Sequence, residues 1–356
     1  MKKIGIVTLY CNNNYGNKLQ NYATKKILTK LGFECDTLVC RGINYPNRKG
    51  QLVGIFINIL KKDTKLDKIE KRREKKFKKY NKDNLSIKYI YKSKLKRYYY
   101  IIIGSDQTWN PYYLTYNKSG LYDWFFGMSV ESSRKVALSP SISVHSIPSE
   151  DRERFVKCLK SFKHLSIREK QGASLIEDLI GTLPQVICDP TLALPSEEWE
   201  KAIEKPQYLP NKKYIFCYFL GGMNDIAKKF IRNKKDYEII DILDKNNSEI
   251  YVSNPNNFLW YIKNADFIIT DSFHASVFSI IFEKEFYVFD RNEQINMSSR
   301  IITLLDDFNI TDRYIKTESA LDNITYLKLD YLNNKKVLKD LQNRYISFLQ
   351  CIKQGG

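Results

Sequence analysis

Short apolar runs, each ending in a cluster of polar residues, set the rhythm of this chain. Residues 4–9 and 99–103 are such runs, and with 34–40, 135–138, 164–167 and 185–188 they read as strands of a parallel sheet. Between the first two, Leu19, Tyr22, Ala23, Ile27 and Leu31 recur at helical spacing, and Gly32 closes the helix. The spacing predicts a strand–turn–helix–strand unit, the building block of a doubly wound sheet. Arg168-Glu169-Lys170-Gln171-Gly172-Ala173 opens a further helix. After Pro195, Pro206 and Pro210 the alternation starts again, with strands over 213–220, 267–270 and 286–289. Helices are predicted over 258–263, 275–281, 299–308 and 335–352.

The pattern therefore predicts an α/β protein of two Rossmann-like domains facing a cleft, each a doubly wound parallel sheet. Its 356 residues suit two cores better than one. The expected division is an N-terminal domain over 1–198 and a C-terminal domain over 199–334. A last helix, 335–356, is expected to pack back on the N-terminal domain. Ligands of such sheets bind beyond the C-terminal ends of the strands. The polar clusters fall there: residues 12–17, 104–106, Arg168, Asp189 and 271–274.

Charge changes the picture at one place. The formal net charge is +18, and residues 61–98 hold 17 Lys or Arg against 5 Asp or Glu, a net +12. Leu66, Ile69, Phe77 and Tyr80 form a narrow apolar stripe among these lysines, which predicts a basic amphipathic helix inserted in the N-terminal domain. A solvated helix face and a peripheral contact with an anionic membrane both fit it. No nucleic-acid partner is expected, because no recognition module accompanies the charge. No apolar stretch reaches the roughly 18 residues of a membrane span, and the first residues lack the long apolar core of a signal peptide. The expected location is the cytoplasm, peripherally at the inner face of the membrane if the basic segment binds there. Seven cysteines, Cys11, Cys35, Cys40, Cys158, Cys188, Cys217 and Cys351, lie without metal-ligand spacing, so reduced thiols and no metal are expected.

His274 is the leading chemical candidate. It stands between a buried strand and a helix, and imidazole can act as acid or base near neutral pH. His164 precedes an apolar pair and reads as structural, while His145 sits in a Ser-rich loop. Arg168 and Arg300 each stand at a helix start, where a guanidinium fork and backbone N–H groups suit an anion; a surface ion pair is the plainer reading. The turn Asn12-Asn13-Asn14-Tyr15-Gly16-Asn17 can hydrogen-bond a sugar or phosphate, or simply cap the first helix. It lacks the glycine spacing of a dinucleotide site. Asp106 is weakly favoured for function, and Asp189-Pro190 for a turn.

Six segments in order carry a resemblance. They are Asn14-Tyr15-Gly16-Asn17-Lys18-Leu19-Gln20-Asn21-Tyr22-Ala23, Ile103-Gly104-Ser105-Asp106-Gln107-Thr108-Trp109-Asn110, Ser166-Ile167-Arg168-Glu169, Asp189-Pro190-Thr191-Leu192, Thr270-Asp271-Ser272-Phe273-His274 and Ser299-Arg300. Together they resemble the polysaccharide pyruvyl transferase family. The resemblance implies a GT-B-like fold and a phosphoenolpyruvate donor, with no cofactor. It also implies a sugar acceptor, lipid-linked, of a capsular or other exopolysaccharide, and a pyruvate ketal product. His274 matches the family's catalytic histidine. Arg168, Arg300, Ser299 and Ser272 fall at donor-side positions, and Asn14, Tyr15, Asn17, Asp106 and Gln107 at the acceptor side. Some members carry Arg-Leu-His where this chain has Ser272-Phe273-His274, so Arg300 or Arg291 is expected to supply that charge. Residues 139–143, Ser-Pro-Ser-Ile-Ser, also depart from the family's small-residue pattern. A nucleotide-sugar-dependent glycosyltransferase and a non-catalytic glycan-binding relative are the alternatives, since one fold serves several chemistries.

Overall fold

Residues 2–10, 13–43, 64–114, 120–291, 298–322 and 330–354 are described by a computed structural model. They divide into two units. Unit 1 comprises Met1–Lys62, Lys79–Leu194 and Leu341–Gly356, and unit 2 comprises Asp63–Lys78 and Pro195–Asp340.

Unit 1 is built on seven strands: β1 (Lys3–Val7), β2 (Glu34–Cys40), β3 (Ile87–Ile90), β4 (Tyr100–Ile103), β5 (Lys135–Ala137), β6 (His164–Ile167) and β7 (Gln185–Val186). Their order is β3-β2-β1-β4-β5-β6-β7, and every pair is parallel. The central strands are covered on both faces, which is why β4 reads Tyr-Ile-Ile-Ile without a polar break. The chain winds outward from β1 to β3 and then returns to β4, so the direction of winding switches between β1 and β4. Val7 pairs with Ile103, so these two strands end level and their loops emerge side by side.

Unit 2 repeats the plan with β8 (Tyr214–Tyr218), β9 (Glu238–Asp241), β10 (Phe267–Thr270), β11 (Phe286–Phe289) and β12 (Tyr314–Ile315), in the order β12-β11-β10-β8-β9, all parallel. Its switch lies between β8 and β10, and Thr270 pairs with Tyr218, so these ends are level too. Ile215, Cys217, Phe230, Ile269, Tyr287 and Phe289 form the core beneath. The chain thus holds two successive Rossmann-like α/β units, the fold class expected of it.

The basic segment corrects the expectation. The helix runs only over Lys65–Asn84; β3 then joins the sheet beside β2, and a 3₁₀ turn covers Lys92–Arg97. The lysines that suggested one long helix include Lys88 on an edge strand, where a charge facing water suits the free edge. Ile69, Phe77 and Tyr80 are buried as the stripe predicts, but Leu66 is 51% exposed. Arg73 takes its place in the stripe: its guanidinium bonds the Tyr251 carbonyl oxygen and lies 4.5 Å from the Tyr251 ring centroid. Ile69 packs with Tyr251 and Val252, so residues 63–78 belong to unit 2 and not to an insertion in the N-terminal domain. Cys11 falls outside the described residues, and the other six cysteines form no disulfide among the described residues. Among the described residues no helix is long and apolar enough to cross a membrane.

Candidate active site

Each sheet gathers its polar residues at its own switch point. In unit 1, Asn14 caps the Tyr15–Lys30 helix by accepting from the Asn17 amide at 3.0 Å. That turn brings Asn17 against β4's end, where its side-chain amide donates to Asp106. Asp106 also accepts from Arg168 at 3.2 Å. Two of the expected acceptor-side residues, from loops 89 positions apart, therefore meet directly. Gly104 takes φ +115°, and a Cβ there would collide with the Leu138 carbonyl oxygen, so the close approach of β4's end to β5's end requires glycine. Asp106, Ser139 and Ser143 all hold positive φ, of 66°, 45° and 58°. Such strain in non-glycine residues collects where a surrounding network fixes the backbone, as at binding sites.

That network is centred on Arg168. Its side chain is 2% exposed and is bound by Asp189, by Asp106 and, at 3.3 Å, by Ser105 Oγ. Burial alone would lower its pKa, but Asp189, Asp106 and Glu169 outweigh that and hold it above the usual arginine value. Two carboxylates already balance this charge. Arg168 thus holds Asp106 and Asp189 in place. Asp189 accepts from Thr191 N at 2.9 Å and Oγ1 at 2.7 Å, so it caps a turn and anchors Arg168 at once. Glu169 accepts from Ser141 Oγ and from the Ile142 and Ser143 amides at 2.8–3.1 Å, holding the strained loop. Sequence reasoning passed over Glu169 and Ser105, because their partners lie on other strands. Tyr15 is fully buried. Gln107 is 8% exposed and accepts from Tyr113 at 3.4 Å. Trp109 donates to the Phe125 carbonyl and stacks on Phe126, a packing role. His145 is exposed against Gln171, and His164 is half-buried.

In unit 2 the strand-end turn after β10 is fixed by side chains. Thr270 Oγ1 donates to the Tyr218 carbonyl at 2.5 Å and accepts from Ser272 N at 3.0 Å, which turns the chain off the strand. Asp271 crosses the switch point and accepts from the Leu220 and Gly221 amides at 2.6 and 2.7 Å. It also accepts from Arg291 Nε at 3.1 Å, while Arg291 reaches the Asp271 carbonyl at 3.2 Å. Sequence reading left Asp271 without a role; its place directly after an apolar strand was the available signal. The Phe273–Ile281 helix follows, with Ser272 at its N-cap making no side-chain capping bond. His274 lies in its first turn, 5% exposed. Phe273 stands edge-on to the imidazole at 5.2 Å, and Arg300 lies over the Phe273 ring at 5.7 Å. Ser299 Oγ, buried at the start of the Ser299–Asp307 helix, has no hydrogen-bond partner among the described residues. His274, Ser272, Ser299, Arg300 and Arg291 thus belong to one unit, around a helix start whose N–H groups favour an anion.

A model of polysaccharide pyruvyl transferases matches residues 14–293. The chain belongs to the polysaccharide pyruvyl transferase family. The match takes in both switch points and His274, while Ser299 and Arg300 lie just beyond it. Membership makes the chain a transferase of polysaccharide pyruvylation. Comparison with curated proteins finds no match. Solved structures similar to this family member include a UDP-GlcNAc 2-epimerase from Neisseria meningitidis, at 9% identity over 98% of this chain and 99% of that one, with a TM-score of 0.45. MurG from Acinetobacter baumannii is similar at 10% identity over 99% and 100%, with a TM-score of 0.44. At this overlap no substrate is carried over from them.

Proposed function

We propose that this pyruvyl transferase uses phosphoenolpyruvate as donor and forms a pyruvate ketal on a sugar of a cell-surface polysaccharide precursor. The observation that carries the reading is the family match, which spans the strand-end turn holding His274. The local chemistry supports it. Arg300, Arg291 and the uncapped helix start offer positive potential for a phosphate and a carboxylate, and Ser299 Oγ and Ser272 offer hydroxyl donors beside them.

In the proposed sequence the methylene carbon of phosphoenolpyruvate gains a proton, which leaves C2 electrophilic. One sugar hydroxyl adds to C2 and loses its proton. A second hydroxyl then forms the other C2–O bond as the bond from C2 to the phosphate oxygen breaks. The proton of the second hydroxyl passes to the departing phosphate, so the products are one ketal, with its carboxylate intact, and one inorganic phosphate. His274 is assigned the proton transfers. The Asn17–Asp106 pair, held by Arg168, is assigned to the acceptor side, with Asn14 and Gln107 flanking it. No cofactor takes part in this scheme. The acceptor is assigned as lipid-linked, and the exposed lysines of the Lys65–Asn84 helix are assigned to an anionic membrane surface at the inner face. Incubation with phosphoenolpyruvate, and separately with a UDP-sugar, tests the donor. Acceptor-dependent phosphate release is the expected result; UDP release with no phosphate would transfer the chain to glycosyl chemistry.

A further inference from the structure

Unit 1 carries a concave site that the scheme above does not use. It is a pocket of about 360 Å³ lined by Lys3, Arg41, Lys94, Arg97, Tyr89 and Tyr91, among others, and no acidic side chain lines it among the described residues. The volume is at the small end of the range of about 300–1,000 Å³ usual for ligand pockets. Lys3 is already committed, to Glu34 at 2.8 Å and Asp36 at 3.1 Å. Arg41, Lys94 and Arg97 are exposed, and none is paired with a carboxylate among the described residues. Arg41 is oriented nonetheless. Its Nε donates to the Tyr89 carbonyl at 3.2 Å, and its guanidinium lies 5.8 Å from the centroid of the Tyr91 ring. That anchoring leaves its two terminal amino groups for a ligand, in a planar fork suited to phosphate.

We propose that this pocket binds a diphosphate group. Three uncompensated cations around one hollow exceed what a single phosphate requires, and two linked phosphates can engage all three. Tyr89 and Tyr91, 53% and 58% exposed, offer ring faces to whatever the diphosphate carries. The pocket also adjoins the acceptor-side turn: the Tyr89 hydroxyl shares a 3.1 Å hydrogen bond with Tyr10, whose carbonyl accepts from Lys18 of the first helix at 2.6 Å. A sugar attached to a diphosphate held here is directed along that turn. The ligand's role as acceptor rests on the pyruvyl-transfer reading, but the diphosphate site itself does not.

Calorimetric titration of the full chain with inorganic pyrophosphate, without turnover, tests the site. Pyrophosphate is expected to bind more tightly than orthophosphate, and Lys94→Glu with Arg97→Glu to weaken it about tenfold or more. Arg41→Lys keeps the charge but loses the fork, and is expected to weaken binding about tenfold. Lys75→Glu with Lys76→Glu, which do not line the pocket, serve as the control for general electrostatics. Equal losses in this control and the pocket variants, or no preference for pyrophosphate, would overturn the proposal. Displacement of pyrophosphate by vesicles carrying a polyprenyl diphosphate, or by a soluble nucleoside diphosphate, identifies the carrier; displacement by neither also overturns it. Failure of ketal formation with intact pyrophosphate binding would count against the pyruvyl-transfer reading alone.

Discussion

The imidazole of His274 draws its setting from its neighbours in chain and space. The strand-end turn fixes its backbone, Phe273 fixes its ring edge, and Arg300 lies over that phenyl ring. If it transfers the protons of the scheme, His274→Ala should lose about 10²–10⁴-fold in kcat, the usual contribution of a positioned acid or base. Acceptor-dependent phosphate release measures this, and full activity in the variant would remove His274 from the chemistry. Arg168 leads to a different expectation. Removing it strands two buried carboxylates, Asp106 and Asp189, at a typical cost of about 3–5 kcal/mol. Arg168→Ala should therefore lower the urea midpoint sharply, whereas a wild-type midpoint would show the network to be dispensable. Lys135 gives a pH signature. Burial depresses its ammonium from 10.5 to about 8, although it donates to the Phe126 and Gly127 carbonyls and to Ser161. Below pH 8 it is charged in both states and the burial cost is complete. Between about 8 and 10.5 the folded state sheds a proton that the unfolded state keeps, so this group's contribution becomes more favourable as pH rises. Melting curves should show the wild type gaining on Lys135→Met across that interval, and parallel pH profiles would contradict the assignment.

At the level of elements, the Lys65–Asn84 helix separates its residues by face. Arg73, Phe77 and Tyr80 turn inward, and Lys75, Lys76, Lys78 and Lys79 remain exposed. Two of these lysines are paired along the helix, Lys78 with Glu74 at 3.4 Å and Lys79 with Asp83 at 2.6 Å. Such exposed pairs hold little energy, typically about 0.3–0.5 kcal/mol, and leave most of the positive field in place. If the helix meets an anionic surface, each lysine near it adds about 1 kcal/mol. Reversing all four charges should then abolish sedimentation with anionic vesicles while leaving neutral vesicles unaffected. Unchanged sedimentation would reduce the segment to a solvated face.

Across the whole molecule, the chain closes unit 1 with its own end. Leu341, Tyr345, Leu349 and Ile352 recur on one helical stripe, each at most 3% exposed, and Gln342 donates to the Leu192 carbonyl at 3.2 Å. Burial of large apolar side chains contributes roughly 1.5–3 kcal/mol each. Truncation after Asp340 removes four of them, on the order of the whole stability of a domain. The truncated chain should be insoluble or show unit 1 unfolded by limited proteolysis; a protected unit 1 in that truncation would contradict the accounting. Residues 1–194 alone are expected to fail for the same reason.

Much of this architecture follows from local pattern. A buried parallel strand reads as a short, mainly apolar run, so β10 and β11 could be read to the residue, and a polar turn follows β10 where it ends at the site. The edge strands β3, β9 and β12 were not legible, because an edge strand keeps charge on its open side and so breaks the apolar run. The sequence by itself also determined which motifs were present and, through them, the family. Only the tertiary structure decided what each polar residue does. Whether an arginine greets an anion or neutralises two buried carboxylates depends on which strand ends lie beside it, and Arg168 meets Asp106 and Asp189 across 62 and 21 positions of chain. Strand order, a long-range property, brings Asn17 to Asp106 and Asp271 to the Leu220 turn; no local spacing encodes it.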